Sequence, residues 1–259
     1  MAPPKLLPIG FYERDPELVA RDLLGKRLLR KTDGGSLVGI IVETEAYYGR
    51  DDPASRAYRG MKPYNRLMRS EPGKAFIYNV HNNWLFNVIA HEPGKVGGVL
   101  IRAIEPTEGV ETMKLNRGVG NLLRLTSGPG RLTKALAIDK SLNGAPVTSR
   151  DSEIQILDCF TEFEIESSGR IGVRRDLDKP LRFYIKGIGS SQSDKHDLME
   201  LRRYTSPDRK IEQPYEEDPL RTTSEKEQPL KRKKKGLCIK IHPKNSQTEG
   251  LLPQAKTKR

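Results

Sequence analysis

The chain has 259 residues, 35% of them hydrophobic and 31% charged, enough to bury a core as one large domain or two small ones. Its formal net charge of +12 points to a polyanionic partner, nucleic acid before an acidic membrane surface. No apolar run is long enough to span a bilayer, Met1–Pro8 lacks the apolar stretch of a secretory signal, and Cys159 and Cys238 are too few and too far apart for a disulfide framework, so a reducing, intracellular setting is expected.

Asp15-Pro16-Glu17 predicts a helix start: a capping Asp, Pro in the first turn and an acid near the positive end of the dipole. Leu18, Leu23 and Leu24 supply its apolar stripe and Gly25 its stop. Arg27–Arg30 and Leu37–Glu43 read as a hairpin joined through Asp33-Gly34-Gly35. The second of these strands runs into two carboxylates, Glu43 and Glu45, whose i, i+2 spacing points both to one face. Tyr47 and Tyr48 follow at once, then a polar, basic loop, Gly49–Arg66. Acids and aromatics at the end of an apolar strand, beside a basic loop, suggest a pocket for a flat, cationic or π-rich ligand. The bland alternative is a strand end with solvated acids and surface tyrosines.

Ala75–Val80 and Val99–Ile104 are predicted strands, the second nearly all apolar and therefore central. Between them Asn87 sits inside the apolar run Trp84–Val88, where an amide needs a hydrogen-bond partner or a purpose. Arg102 likewise leaves an apolar strand, and a buried Arg is costly unless paired. Thr107–Leu115 is predicted helical. Ser127-Gly128-Pro129 starts another helix through Leu132, Leu136 and Ala137. Glu153–Leu157, Arg170–Arg174 and Arg182–Lys186 are the later predicted strands. The sum is α+β: a single compact domain over residues 1–205, with a curved, mostly antiparallel β-sheet flanked by helices.

From Ser206 the character changes. Residues 206–259 are rich in Pro and charge and poor in aromatics, so a disordered basic tail is expected, and it carries +6 of the +12. Its run Lys231–Lys235 is a candidate nuclear-import signal or DNA-tethering arm, with a plain solvated tail as the alternative; the expected location is the nucleus in a eukaryote and the cytoplasm otherwise. The four histidines (His81, His91, His196, His242) lack ligand spacing, and Gly94-Lys95-Val96-Gly97-Gly98 reads as a turn rather than a phosphate loop. No metal and no cofactor is expected.

The string Val42-Glu43-Thr44-Glu45-Ala46-Tyr47 resembles the signature of the 3-methyladenine (alkyladenine) DNA glycosylase family. Further blocks match in the same order: Asp52-Pro53-Ala54-Ser55, Asn65-Arg66, Ile77-Tyr78, Val99–Pro106, Ser127-Gly128-Pro129 and Lys179–Tyr184. Together they spread over Leu7–Tyr204. The resemblance implies a compact mixed α/β body that flips a damaged purine out of double-stranded DNA and hydrolyses its N-glycosidic bond. Such chemistry needs a carboxylate near C1′, an aromatic slot, a wedge for the vacated stack and a basic surface.

The resemblance makes Glu45 the base that activates water. Glu43 is its rival, with a structural ion pair as the other role open to it. Arg102 would orient the carboxylate and the flipped nucleotide's phosphate. Tyr47 and Tyr78 would sandwich the base, Phe76 would extend the slot, and Asn87 would sit where a guanine amino group clashes. Two positions depart from the pattern. Arg56 stands where the family often carries His; it keeps the backbone N–H and brings a different side chain, one able to reach phosphate. The wedge segment is one residue short, with His81 the best match for the usual Tyr and Asn82 next. No lysine is singled out as a Schiff-base nucleophile, so a monofunctional enzyme is expected. The expected substrate is 3-methyladenine, then 7-methylguanine, hypoxanthine or ethenoadenine, and the expected form is a monomer. A non-catalytic nucleic-acid-binding module on the same scaffold stays open, as does an RNA-directed activity.

Overall fold

The computed structural model describes residues 5–159 and 162–187. All belong to one of the two units into which the chain divides, Met1–Lys210. The boundary expected at Ser206, the tail and its run Lys231–Lys235 lie outside the described residues.

Two short helices, α1 (Ile9–Tyr12) and α2 (Pro16–Asp22), open the chain. Asp15 caps α2 as expected, its Oδ1 accepting from the Glu17 N–H at 2.7 Å. Leu18 is not part of the buried stripe: it is 52% exposed. Spacing of four stacks Val19 on Leu23 and Ala20 on Leu24, which are the buried residues, and turns Leu18 outward.

The strands β1 (Arg27–Thr32), β2 (Gly35–Tyr47), β3 (Ala75–Val80), β4 (Asn83–Ile89), β5 (Gly98–Glu108), β6 (Ile154–Leu157), β7 (Ile165–Ser168) and β8 (Arg182–Ile185) form one antiparallel sheet. Its order is β3-β4-β5-β2-β1-β6, with β8 on β2 and β7 on β8. The strand β2 organises it. β5 runs along one edge of β2, while the other edge passes from β1, up to Ile40, to β8, from Glu43. A strand that changes partner along one edge forces the sheet to curl, and Leu37–Ala46 are buried on both faces. α2 packs on β2 and β5, and α4 (Pro129–Ala135) packs on β4 and β5.

Two irregularities fall where the carboxylates lie. Ile41 pairs Ile104, Glu43 pairs Ala103 and Thr44 pairs Ile101, so Val42 on one strand and Arg102 on the other drop out of the ladder. A bulge re-aims a side chain, and here the chain re-aimed is an arginine.

Asn83–Ile89, to which the sequence assigned no element, is a strand paired with β3 from Ala75↔Val88 to Val80↔Asn83; its short apolar run carried no period that separates strand from core helix. Two expectations are corrected. The strand β5 continues through Thr107 and Glu108, and Gly109, at φ 71°, makes the turn into α3 (Val110–Arg117), so the helix starts later than Thr107. Arg170–Arg174 is an irregular loop, because its polar groups are bound by side chains rather than by a neighbouring strand.

The loop after β2 has a small core of its own, in which Ala57 and Met68 pack with Phe76 and Ile89. Its shape is held by Asn65, which is fully buried: Oδ1 accepts from Lys62 N at 2.6 Å and Nδ2 donates to Arg56 O at 2.7 Å and Gly60 O at 3.1 Å. Asn65→Ala leaves three backbone groups without a partner and is expected to lower stability by about 2–3 kcal/mol in urea denaturation. A loss below about 0.5 kcal/mol would mean that the apolar contacts alone fix the loop.

Candidate active site

The sheet brings the end of β2, the β3–β4 hairpin, Arg102 of β5, the start of α4 and the loop 170–175 around one open cavity of about 1110 Å³. Tyr47 and Tyr78 line it, as do Arg56, Arg102 and His81. Arg59, Arg131, Arg174 and Arg175 stand exposed around its mouth.

Glu45 lies beneath this floor, with no exposure to solvent. Each group that holds it lines the cavity. The Tyr47 hydroxyl donates to Oε2 at 2.7 Å, the Ile171 backbone N–H donates to Oε1 at 2.8 Å, and Arg102 Nη1 lies 3.1 Å from Oε1. Burial pushes the Glu45 carboxyl above its ordinary value, Arg102 and the two hydrogen bonds pull it back, and nearby Glu43 adds a further upward push. A carboxylate offers about four lone pairs. Hydrogen bonds take one on each oxygen, and the Arg102 guanidinium sits against Oε1, which leaves the acceptor capacity least crowded on Oε2.

Glu43 shares the face of Glu45, as the spacing required, but its partners differ. Its Oε1 accepts from Arg102 Nε at 2.9 Å and from Arg182 Nε at 2.5 Å. The result is an alternating row of charges, Arg182–Glu43–Arg102–Glu45. Glu43 is consumed by ion pairs; Glu45 is bonded to the cavity wall.

A second knot lies beside the first, and the sequence reading missed it. The side chain of Arg170 is fully buried. Its five N–H donors find Asp52 Oδ1 and Oδ2 at 2.7 Å each, Asp176 Oδ1 twice at 2.9 and 2.5 Å, and Ala46 O at 2.8 Å. Burial opposes its charge, yet Asp52 and Asp176 hold it firmly protonated. The guanidinium also stacks on Tyr47, 4.5 Å from the ring centroid. The next residue supplies the N–H that meets Glu45. No signal in the chain singled out Arg170: one internal guanidinium looks like any other among 46 Lys and Arg. Asp52 and Arg182 stood in matching blocks, but nothing assigned them these roles.

The remaining candidates fall into two groups. Tyr78 is half-buried in the cavity wall, and the Arg56 guanidinium lies 4.7 Å from its ring centroid. Burial raises the pKa of both Tyr47 and Tyr78, so both hydroxyls stay protonated. Phe76 and Asn87 do not line the cavity. Phe76 backs Tyr78 at 5.1 Å within the small core, and the Asn87 amide donates to Phe76 O at 3.0 Å. At the hairpin tip His81 and Asn82 both adopt positive φ, 48° and 63°, the signature of a two-residue type I′ turn usually given to Asn-Gly. The tip is exposed and braced: Asn83 Nδ2 donates to His81 O at 2.9 Å, and Asn83 packs where a Cβ on Gly130 would lie 2.8 Å away. His81 faces the cavity, and Asn82 lies at the apex outside its lining.

Comparison with known proteins gives one answer. The profile of a family described as "Methylpurine-DNA glycosylase (MPG)" matches residues 10–188. A protein of Aeropyrum pernix is 42% identical over 186 residues, covering 71% of this chain and 91% of its own. A protein of Carboxydothermus hydrogenoformans is 43% identical over 183 residues, 70% and 95% respectively. Both carry the name "Putative 3-methyladenine DNA glycosylase".

The geometry makes a prediction about stability. Well below 4.5, Glu45 is protonated in the folded and unfolded chain alike. As pH rises past that value the unfolded chain ionises freely while the buried group resists, so the charged carboxylate lowers stability at neutral pH. Glu45→Gln keeps the shape and the acceptor for Ile171, and turns an N–H toward the Tyr47 oxygen. The variant is expected to melt at or above the parent temperature at neutral pH, with the difference shrinking in acid. A variant that is clearly less stable at neutral pH would show the carboxylate to be a structural ion.

Proposed function

The chain belongs to the methylpurine-DNA glycosylase family, and we propose that it is a monofunctional DNA N-glycosylase for damaged purines, 3-methyladenine first, with 7-methylguanine, hypoxanthine and ethenoadenine in reach. The observation that carries this reading is Glu45: a carboxylate shut from water, beneath a cavity walled by two tyrosines and ringed by arginines. A surface built only to bind phosphate has no use for such an acid.

The mechanism follows from the contacts. The arginines at the mouth take the phosphates of the strand that carries the lesion. The extrahelical purine enters between Tyr47 and Tyr78, where an alkylated, cationic base gains cation–π attraction as well as burial. As the C1′–N9 bond lengthens, positive charge develops on the sugar, and the Glu45 carboxylate stabilises it. A water on the far side of C1′ gives its proton to Oε2, the oxygen with a free lone pair. Arg102 and the Ile171 N–H fix Oε1, so only the productive oxygen is left to turn toward the water. The sugar keeps a hydroxyl at C1′ and the base departs. Among the described residues the cavity lining contains no lysine, which favours water over an amine as the attacking group.

Incubation with a panel of duplexes, each holding one damaged purine, followed by alkaline cleavage, tests the reading. Strand breaks at the lesions are expected; tight binding without release would leave a nucleic-acid-binding module. Glu45→Gln is expected to hold lesion DNA and to lose single-turnover base release by about 10²–10⁴-fold or more. Equal rates in parent and variant would remove Glu45 from the mechanism.

His81 is the proposed wedge, with Asn82 beside it. The strained turn holds both at the tip of a braced hairpin, next to the slot. Filling the vacated stack offsets an unstacking cost of a few kcal/mol, which matters for paired lesions only. His81→Ala is therefore expected to slow excision from duplex DNA about 10-fold more than from single strands. Equal losses on both would return His81 to the pocket wall.

A further inference from the structure

We propose that Arg56 tunes lesion preference, raising the release of neutral purines that present acceptors on their Hoogsteen edge, such as hypoxanthine, relative to the release of cationic methylated purines. The proposal rests on the glycosylase reading of the cavity and concerns which bases that cavity accepts.

Three observations place a charge where the base must lie. The Arg56 guanidinium lines the cavity and lies over the face of Tyr78, 4.7 Å from the ring centroid. Its backbone is pinned, since Arg56 O accepts from the fully buried Asn65 amide at 2.7 Å. Among the described residues no carboxylate pairs with it. The buried or nearly buried arginines of the site differ: Arg102, Arg170 and Arg182 are all tied to acids. Arg56 thus brings an uncompensated positive charge and a planar fork of N–H donors to one wall of the slot.

That fork discriminates by chemistry. A guanidinium bonds two acceptors at once, as in its common pairing with O6 and N7 of a purine. Hypoxanthine presents both. Adenine presents an amino group at the same edge, so donor meets donor. A purine methylated at N7 has lost one acceptor and carries a positive charge, and one methylated at N3 carries that charge with adenine's amino group. Both carry a positive charge that a second cation beside the base repels.

The leaving step has the same bias. When C1′–N9 breaks in a neutral nucleoside, the electron pair goes to the purine, which departs as an anion delocalised onto N7 and O6. Arg56 stabilises that charge, the anion later takes a proton from solvent, and water supplies the hydroxyl at C1′ while its proton passes to Glu45. A cationic base takes the same electron pair and departs neutral, so it gains nothing from Arg56.

The test is a ratio within each protein. Single-turnover release of hypoxanthine from a defined duplex is compared with release of 3-methyladenine and 7-methylguanine from dimethyl sulfate-treated DNA, for the parent, Arg56→Gln and Arg56→Lys. Arg56→Gln is expected to shift the ratio toward the methylated bases by about 10-fold or more. Arg56→Lys keeps the charge without the fork and should fall between. A parent that releases base, with all rates falling together in Arg56→Gln, would make Arg56 a phosphate contact and overturn the proposal alone. A parent that releases no base would overturn the glycosylase reading and this proposal with it.

Discussion

A carboxylate cut off from water is the constraint on which the rest of this molecule depends. Glu45 has no solvent exposure, yet an ionised acid in a dry place is costly unless donors surround it. Three donors do so, and each comes from a different part of the chain: Tyr47 from the same strand, Arg102 from β5, and the Ile171 N–H from the far C-terminal side of the body. The fold reads as the means of bringing these three to one point. The bulge on β5 frees Arg102 from its ladder, and the Arg170 knot fixes the backbone that offers the Ile171 N–H.

The two knots divide the work. In one, Arg102 bridges Glu43 and Glu45, and Arg182 closes the far end. In the other, Arg170 joins Asp52 to Asp176 and braces the ring of Tyr47. Buried ion pairs of this kind add little net stability, because desolvation cancels much of the attraction. What they add is placement. Five polar groups on Arg170 and two on Arg102 are satisfied together, and their arrangement holds Glu45 directly behind three groups that line the cavity.

The sequence carried the strand pattern well where both faces are buried. Alternation and β-branching located β2, β3 and the apolar part of β5, and the Asp33-Gly34 turn fixed the first hairpin. It carried Glu43 and Glu45 to one face for the same reason, since a period of two survives any fold. It left β4 open, because a short apolar run fits strand or helix, and it failed at Arg170–Arg174, where a β-like string is held by side-chain acids instead of a ladder. It could not separate the roles of Glu43 and Glu45, which depend on partners more than fifty residues away. Phe76 lies on the face that its spacing assigns, but the loop core claims it first and leaves Tyr78 alone at the cavity wall.

The direct test of Glu45 as the base is the pH dependence of single-turnover release for a cationic methylated purine. Such a base leaves without a proton, so the only ionisation that matters is that of the group receiving the water proton. A base must be deprotonated to act, and burial raises the Glu45 carboxyl above 4.5. The account predicts a rate that climbs with pH along a limb of unit slope centred above 4.5, and that becomes flat and low in Glu45→Gln. A parent rate that does not change across that limb, or a limb that survives in Glu45→Gln, would contradict it.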